Sequence, residues 1–338
     1  TDNLIRLSAN EGALGTSSNA IKALNSFTHS LNRYPPQVSN DLIGAIAKRY
    51  SLEKKKIILG NGSDELISII AQAFLEPGDE AIYTEFGFLQ FPQAISVAGA
   101  KGVVAEDINF TANVDNIISK INERTKLIFL ANANNPTGTF IPKKEVIRLY
   151  KSIPSNIILV YDAAYSEFIS NSDYIDGSNL VDKHDNVIML RTFSKLHGLA
   201  SLRLGWGYCS EYILSNLMKV RGPFSVNTAA MLAGIAAIED IEFQKKSVLH
   251  NLKWMAWFQK ELQGLSLDFQ ISVTNFLLIK FPNEPLKSAQ NAEKFLANRG
   301  ILVRGMNAYG LSNYLRVSIG NEEENIIFIK ELKRFLEN

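Results

Sequence analysis

Lys195 follows Ser194 and precedes Arg203 by eight residues, in the stretch Leu190-Arg191-Thr192-Phe193-Ser194-Lys195-Leu196-His197-Gly198-Leu199-Ala200-Ser201-Leu202-Arg203. The apolar run 186–190 ahead of it reads as a strand, so the lysine stands near a strand end, half out of water. There an amine sheds its proton more readily and becomes a nucleophile. The adjacent hydroxyl and guanidinium offer a phosphate hydrogen bonds and charge. A cofactor that needs both an amine, for a Schiff base, and a phosphate anchor is pyridoxal phosphate. The same stretch also fits a solvated surface lysine.

Further segments carry the same mark, a polar group at the end of an apolar run. Gly60-Asn61-Gly62-Ser63-Asp64-Glu65 follows a strand and opens a helix, where free backbone amides and the helix dipole attract an anion. It also reads as a plain strand-to-helix turn. It lacks the third glycine of a dinucleotide site and the Gly-Lys-Ser/Thr of a nucleoside triphosphate loop. Asn132-Ala133-Asn134-Asn135-Pro136-Thr137-Gly138-Thr139 has strong turn signals and side-chain amides that reach a ligand oxygen. Asp162 ends the run Ile157-Ile158-Leu159-Val160-Tyr161. A carboxylate there is costly unless paired, for example with a protonated ring nitrogen. A helix cap is the other reading of Asp162.

The elements that hold these groups form a regular series. Strand patterns at 56–60, 79–84, 100–105, 126–131, 157–162, 186–190 and 204–208 alternate with helical patterns at 64–75, 88–98, 114–122 and 143–153. This rhythm predicts an α/β fold, a mostly parallel sheet wrapped by helices. The strands are continuous Ile, Leu and Val runs, as strands buried on both faces are. Ligands of such sheets bind at the carboxyl ends of the strands. After Val226 come helical patterns at 227–237 and 243–262. Strands at 268–273, 276–281, 301–304 and 314–318 and helices at 289–299 and 323–336 then predict a smaller α+β domain. The expected division is a large cofactor domain, 35–240, and a small domain made of 241–338 with 1–34 as an N-terminal arm.

Composition narrows the function. With 338 residues, 46% hydrophobic and 20% charged, the chain is sized for a substantial core. A net charge of +1 gives no field to draw nucleic acid or anionic membrane. The single cysteine, Cys209, excludes an intrachain disulfide and a multi-cysteine metal site, and no metal is expected. No apolar run reaches the roughly 18 residues of a membrane span, and no signal peptide pattern opens the chain. A cytoplasmic location is expected.

The motifs, in this order, resemble those of the fold-type-I pyridoxal-phosphate enzymes, in the class I/II aminotransferase group. The likeness covers nearly the whole chain. It runs through Asn10-Glu11, Arg33-Tyr34-Pro35, the Gly60 turn, Glu85-Phe86-Gly87, Asn134 to Thr139, Asp162 to Tyr165 and Arg191 to Arg203. It continues through Pro223-Phe224-Ser225-Val226-Asn227, Asn275-Phe276, Ile301-Leu302-Val303-Arg304 and Tyr314-Leu315-Arg316-Val317-Ser318. The Arg33-Tyr34-Pro35 and Pro223-to-Asn227 segments are similar to the branch that acts on histidinol phosphate. The chain departs from the usual pattern at Ala163, where relatives carry glutamate, and at Gly12-Ala13, where they often carry Asn-Pro.

The resemblance implies a role for each residue. Lys195 carries the cofactor as a Schiff base and moves the proton, and Asp162 pairs with the pyridine nitrogen. Asn135 and Tyr165 bond the ring oxygen, and Phe86 stacks on the ring. The amides of Gly62, Ser63 and Asp64, with Ser194 and Arg203, hold the phosphate. Tyr34 reaches that phosphate from the other subunit of a homodimer with shared active sites. Arg316, Arg304 and Asn10 belong to the substrate site. Arg316 is implied to grip both the α-carboxylate of glutamate and the phosphate of histidinol phosphate. The implied reaction is amino transfer between histidinol phosphate and 2-oxoglutarate, in histidine biosynthesis. Rival readings are an aromatic amino-acid aminotransferase, a threonine-phosphate-type decarboxylase and a non-catalytic sensing module. The last is disfavoured by intact Lys195 and Asp162, and by a sheet pattern that begins within the first ~50 residues, leaving no room for a DNA-binding segment before it.

Overall fold

A computed structural model describes residues 4–27 and 31–337. In chain order, β1 (Ile5–Arg6), α1 (Ser18–Phe27) and α2 (Asn40–Tyr50) lead into the first sheet. There follow β2 (Ile57–Gly60), α3 (Ser63–Phe74), β3 (Glu80–Thr84), α4 (Gln90–Val97), β4 (Lys101–Ala105), α5 (Val114–Ser119), β5 (Thr125–Ala131), α6 (Lys143–Ser152), β6 (Ile158–Asp162), α7 (Ser178–Lys183), β7 (Val187–Thr192) and β8 (Gly205–Cys209). Helices α8 (Glu211–Val220), α9 (Thr228–Glu239) and α10 (Ile241–Gly264) leave it. The remainder comprises β9 (Phe269–Gln270), β10 (Phe276–Lys280), α11 (Ala289–Ala297), β11 (Ile301–Leu302), β12 (Arg304–Gly305), β13 (Tyr314–Ser318) and α12 (Glu322–Glu337).

Seven strands form the large sheet in the order β2-β8-β7-β6-β5-β3-β4. Only β8 runs against its neighbours. The strand ends at Gly60, Ala131, Asp162 and Thr192 therefore share one edge. Both faces are covered, and the side-chain alternation of a strand sorts the runs between them. Leu127 and Phe129 of β5 and Val160 of β6 join one core. Ile128, Leu130, Leu159 and Tyr161 join the other. Burial on both sides is why these strands read as unbroken apolar runs.

Apart from the two layers on the large sheet, a second core of Trp254, Phe258, Leu277, Phe281, Val317 and Phe328 packs on one face of the antiparallel sheet β12-β13-β10-β9. Helix α10 starts beside the large sheet, where Asp240 caps it by accepting from the Phe243 N–H at 3.1 Å. It ends in the second core through Met255 and Leu262. The N-terminal segment divides between the two. β1 pairs with β11, while α1 packs on α9 and Ala20 joins the core of the large sheet.

The strand expected over 301–304 is split. Residues 301–302 pair with β1, whereas Arg304 and Gly305 pair with β13 in another sheet. Helices α1, α2, α7 and α8 and strand β1 fall where the sequence pattern alone assigns no element.

Candidate active site

The shared strand edge surrounds a cavity of about 260 Å³. It brings together Ser63, Asp64, Asn135, Asp162, Tyr165, Ser194, Lys195 and Arg203 from four segments far apart in the chain. Lys195 enters from the loop after β7. That loop is pinned by Phe193 N–H to the Leu204 carbonyl (3.0 Å) and Leu199 N–H to the Phe193 carbonyl (3.0 Å). Lys195 Nζ donates to the Ala9 carbonyl at 3.2 Å and lies 5.9 Å from the centroid of the Tyr165 ring. Burial, then the cations of Arg316 and Arg203, lower its pKa to about 8, against the pull of Asp64 and Glu11. An amine at that value is a base and nucleophile near neutral pH.

Asp162 closes the far side. It is 5% exposed, and its Oδ1 accepts from the Ala164 N–H at 3.0 Å. No cation forms an ion pair with it among the described residues. Burial raises its pKa to about 7, more than the Ala164 amide lowers it. The Tyr165 hydroxyl accepts from Asn10 Nδ2 at 2.9 Å, and burial raises its pKa to about 12. Asn10 is itself fixed: its N–H donates to Ser318 Oγ (2.9 Å), and its carbonyl accepts from Asn275 Nδ2 (3.1 Å).

At the other end, α3 begins at Ser63 with Gly62 as its cap, at φ +83°. First-turn amides of a helix have no carbonyl ahead of them. Ser63 and Asp64 thus offer N–H groups to an anion, but the Gly62 N–H does not, since it donates to the Gly60 carbonyl at 2.9 Å. Gly62 serves by lacking a side chain, because a Cβ would stand 2.6 Å from Arg203 Nη2. Arg203 donates to Asp64 Oδ2 (2.9 Å), the Ala200 carbonyl (3.1 Å) and Ser194 Oγ (3.4 Å). Hydroxyl, guanidinium and helix amides meet there as a phosphate cradle.

Arg316 lies beyond Asn135. It is 7% exposed, and it donates to Asn135 Oδ1 and, at 2.7 Å, to the Ser8 carbonyl. Its Nε has no partner, and no carboxylate pairs with it among the described residues. Burial lowers its pKa, and Arg304 adds to the effect. A buried cation without a counter-ion is expensive, and an anionic ligand compensates it.

Six expected residues lie outside the cavity lining: Gly62, Asn10 and Arg316 sit directly behind it, against Arg203, Tyr165 and Asn135, and Phe86, Arg304 and Tyr34 stand further apart. Phe86 is half-buried, with its ring stacked on Phe110 at 5.4 Å, and the phenylalanine in the lining is Phe88. Arg304 is exposed, directly across from Arg316. Tyr34 is 83% exposed and stacks on Phe224 at 4.9 Å. The lining also includes Ala9, Glu11 and Thr192. Thr192 Oγ1 accepts from the Ser194 N–H at 3.1 Å. Thr192 follows the predicted strand 186–190, a signal that could have found it. The Ala9 and Ser8 carbonyls left no sequence signal, since every residue has one.

A sheet edge of this kind, with a lysine, a buried carboxylate and a phosphate cradle, defines an aminotransferase-like site. Residues 2–332 match the family of class I and II aminotransferases, and the chain belongs to that family. It is 45% identical over 335 residues to histidinol-phosphate aminotransferase of Paramagnetospirillum magneticum, covering 99% of this chain and 92% of that one. The corresponding protein of Maricaulis maris is 43% identical over 335 residues, with the same coverage of 99% and 92%. In fold, the crystal structure of histidinol-phosphate aminotransferase from Sinorhizobium meliloti, in complex with pyridoxal-5'-phosphate, superposes with a TM-score of 0.93. That pair is 24% identical, over 99% of this chain and 91% of the other.

Proposed function

We propose that this protein transfers an amino group between histidinol phosphate and 2-oxoglutarate, with pyridoxal 5'-phosphate bound at Lys195. The observation that carries this reading is the pairing of a buried, unpaired carboxylate (Asp162) with a lysine of pKa about 8 across one cavity. When bound, the cofactor supplies an electron sink that makes the proton on the substrate's α-carbon acidic. Asp162 fits a protonated ring nitrogen, which gives its carboxylate the cation that it lacks. Ser63, Asp64, Ser194 and Arg203 hold the cofactor phosphate, with Tyr34 of the partner subunit of a homodimer. Asn135 and Tyr165 bond the ring oxygen, and for Phe86 to stack on the ring it must turn from Phe110 toward the cavity, which Phe88 lines.

Lys195 anchors the cofactor and then, as a neutral amine, moves the proton at the substrate α-carbon. Its lowered pKa suits both tasks. Arg316 takes the anionic group of each substrate in turn, a carboxylate of glutamate or the phosphate of histidinol phosphate, with Arg304 and Asn10 alongside. The two cores act as a large domain, 35–240, and a small domain, 1–34 with 241–338, except that α1 packs with the large one. Among the described residues no helix is long and apolar enough to cross a membrane.

Single-turnover spectroscopy tests the reading. The purified holoenzyme is mixed separately with glutamate, histidinol phosphate, phenylalanine and threonine phosphate, and the cofactor absorbance is followed. Conversion is expected with glutamate and histidinol phosphate. Failure with histidinol phosphate overturns the substrate assignment. Conversion by phenylalanine alone favours an aromatic aminotransferase, and carbon dioxide release without conversion favours a decarboxylase.

A further inference from the structure

Arg304 and Arg316 are direct register partners on the antiparallel pair β12 and β13. Like charges opposite one another in a sheet repel, unless an anion lies between them. The turn that joins these strands carries Tyr309, at the end of the short 3-10 helix Asn307–Tyr309. Its ring packs against the buried cluster of Leu278, Met306 and Leu311, which Phe86 and Phe110 also cover.

The polar tip of that ring points at charge. Burial raises the phenol pKa, so the hydroxyl stays a neutral donor, and the Arg316 and Arg304 cations are close enough to oppose the rise. Leu278, in the cluster on which Tyr309 packs, is the register partner of Arg316 on the adjoining strand β10. Tyr309 also acts on the Tyr165 phenol in the cavity wall. Among the described residues no acceptor takes the Tyr309 proton.

We propose that Tyr309 is a substrate-binding residue that donates its O–H to the phosphate of the phosphorylated substrate, completing a three-point grip with Arg316 and Arg304. The inference rests on the reading of the site as one for histidinol phosphate, and it names what distinguishes the two substrates. A carboxylate has two oxygens, which one guanidinium fork matches. A phosphate monoester has a third terminal oxygen, and Tyr309 and Arg304 are the groups left to meet it.

Tyr309→Phe keeps the ring and removes the donor. On the holoenzyme, half-saturation by histidinol phosphate and inhibition by inorganic phosphate are expected to weaken roughly tenfold or more, as for a lost hydrogen bond to an ion. Half-saturation by glutamate is expected to stay within about twofold. Tyr309→His, which retains a donor, should recover part of the phosphate affinity. Equal losses for both substrates, or no loss for either, overturn the assignment. If the wild-type holoenzyme ignores histidinol phosphate, the functional reading falls instead. The inorganic phosphate comparison then still decides the role of Tyr309.

Discussion

At the scale of single residues, the site gathers three ionisable groups, Asp162, Lys195 and Arg316, that have no ion-pair partner among the described residues. Asp162 illustrates the cost. Its folded pKa of about 7 lies above the ordinary 3.8, so folding takes up a proton between those values. Its contribution to stability is therefore greatest below pH 3.8 and is lost as pH rises through about 7. Asp162→Asn should make the cofactor-free protein more stable at pH 8, by about 1–3 kcal/mol in thermal or urea unfolding. The same change should weaken pyridoxal phosphate binding by at least tenfold or so. A less stable apo variant would show that Asp162 has a structural partner instead. Lys195 is displaced in the opposite direction, down to about 8 from 10.5. The folded protein releases that proton first, so the apo form gains stability as pH climbs from about 8 to 10.5. Arg316 is the strongest charge behind the displacement, after burial. Arg316→Met should move the pH midpoint for capture of pyridoxal phosphate upward, measured as the rate of absorbance growth in the apo-protein. An unmoved midpoint would remove Arg316 from the neighbourhood of the amine. Asp162 was legible in the sequence because it is a polar group at the end of an apolar run, and Lys195 because it follows one closely, whereas Arg316 lies inside a strand and was reached through the family resemblance. Tyr309 was reached by neither route. It lies in a turn of the second sheet, and only folding brings it to the arginines.

At the scale of elements, the legible feature was the edge. Runs such as 126–131 and 157–162 announce strands buried on both faces, and their order implies that their ends converge. What the pattern hid was everything set by pairing. Residues 301–304 read as one strand, yet they serve two sheets, because β1 claims Ile301 and Leu302 while β13 claims Arg304. Helix α2 owes its start to Ser39, whose Oγ accepts from the Leu42 N–H, a cap too short-range to stand out in the chain. Pairing also fixes how closely β8 approaches the phosphate turn. A Cβ on Gly205 would lie 2.4 Å from the Ser63 nitrogen. Gly205→Ala must push β8 away from α3, and with it the amides that face the phosphate. A loss of about 1–3 kcal/mol in unfolding free energy is expected, as for overpacking. Cofactor affinity should fall as well, and free phosphate should compete with the cofactor less well than in the wild type. A variant that melts lower but binds pyridoxal phosphate normally would separate the strand contact from the cradle.

At the scale of the whole molecule, Tyr34 is the residue that one chain does not explain. A tyrosine that is 83% exposed, stacked on a Phe224 that is itself 39% exposed, is an unusual aromatic pair to leave in water. Leu31, Val38 and Met218 are exposed as well. None of them lines the cavity. A two-fold dimer through this region would give those rings a buried setting, and the proposed reading has each Tyr34 reach the phosphate cradle of the other subunit. Two inactive variants then test the sharing. Lys195→Ala removes the amine, and Tyr34→Ala removes the group lent to the neighbour. Mixed and reassociated, the two should regain roughly a quarter of wild-type activity, because half of the dimers would be hybrids with one intact site. Sedimentation should report a dimer for each variant alone. If each site used its own Tyr34, the mixture would gain nothing over the Tyr34→Ala protein. A hybrid that recovers activity requires that the amine and the phenol come from different chains.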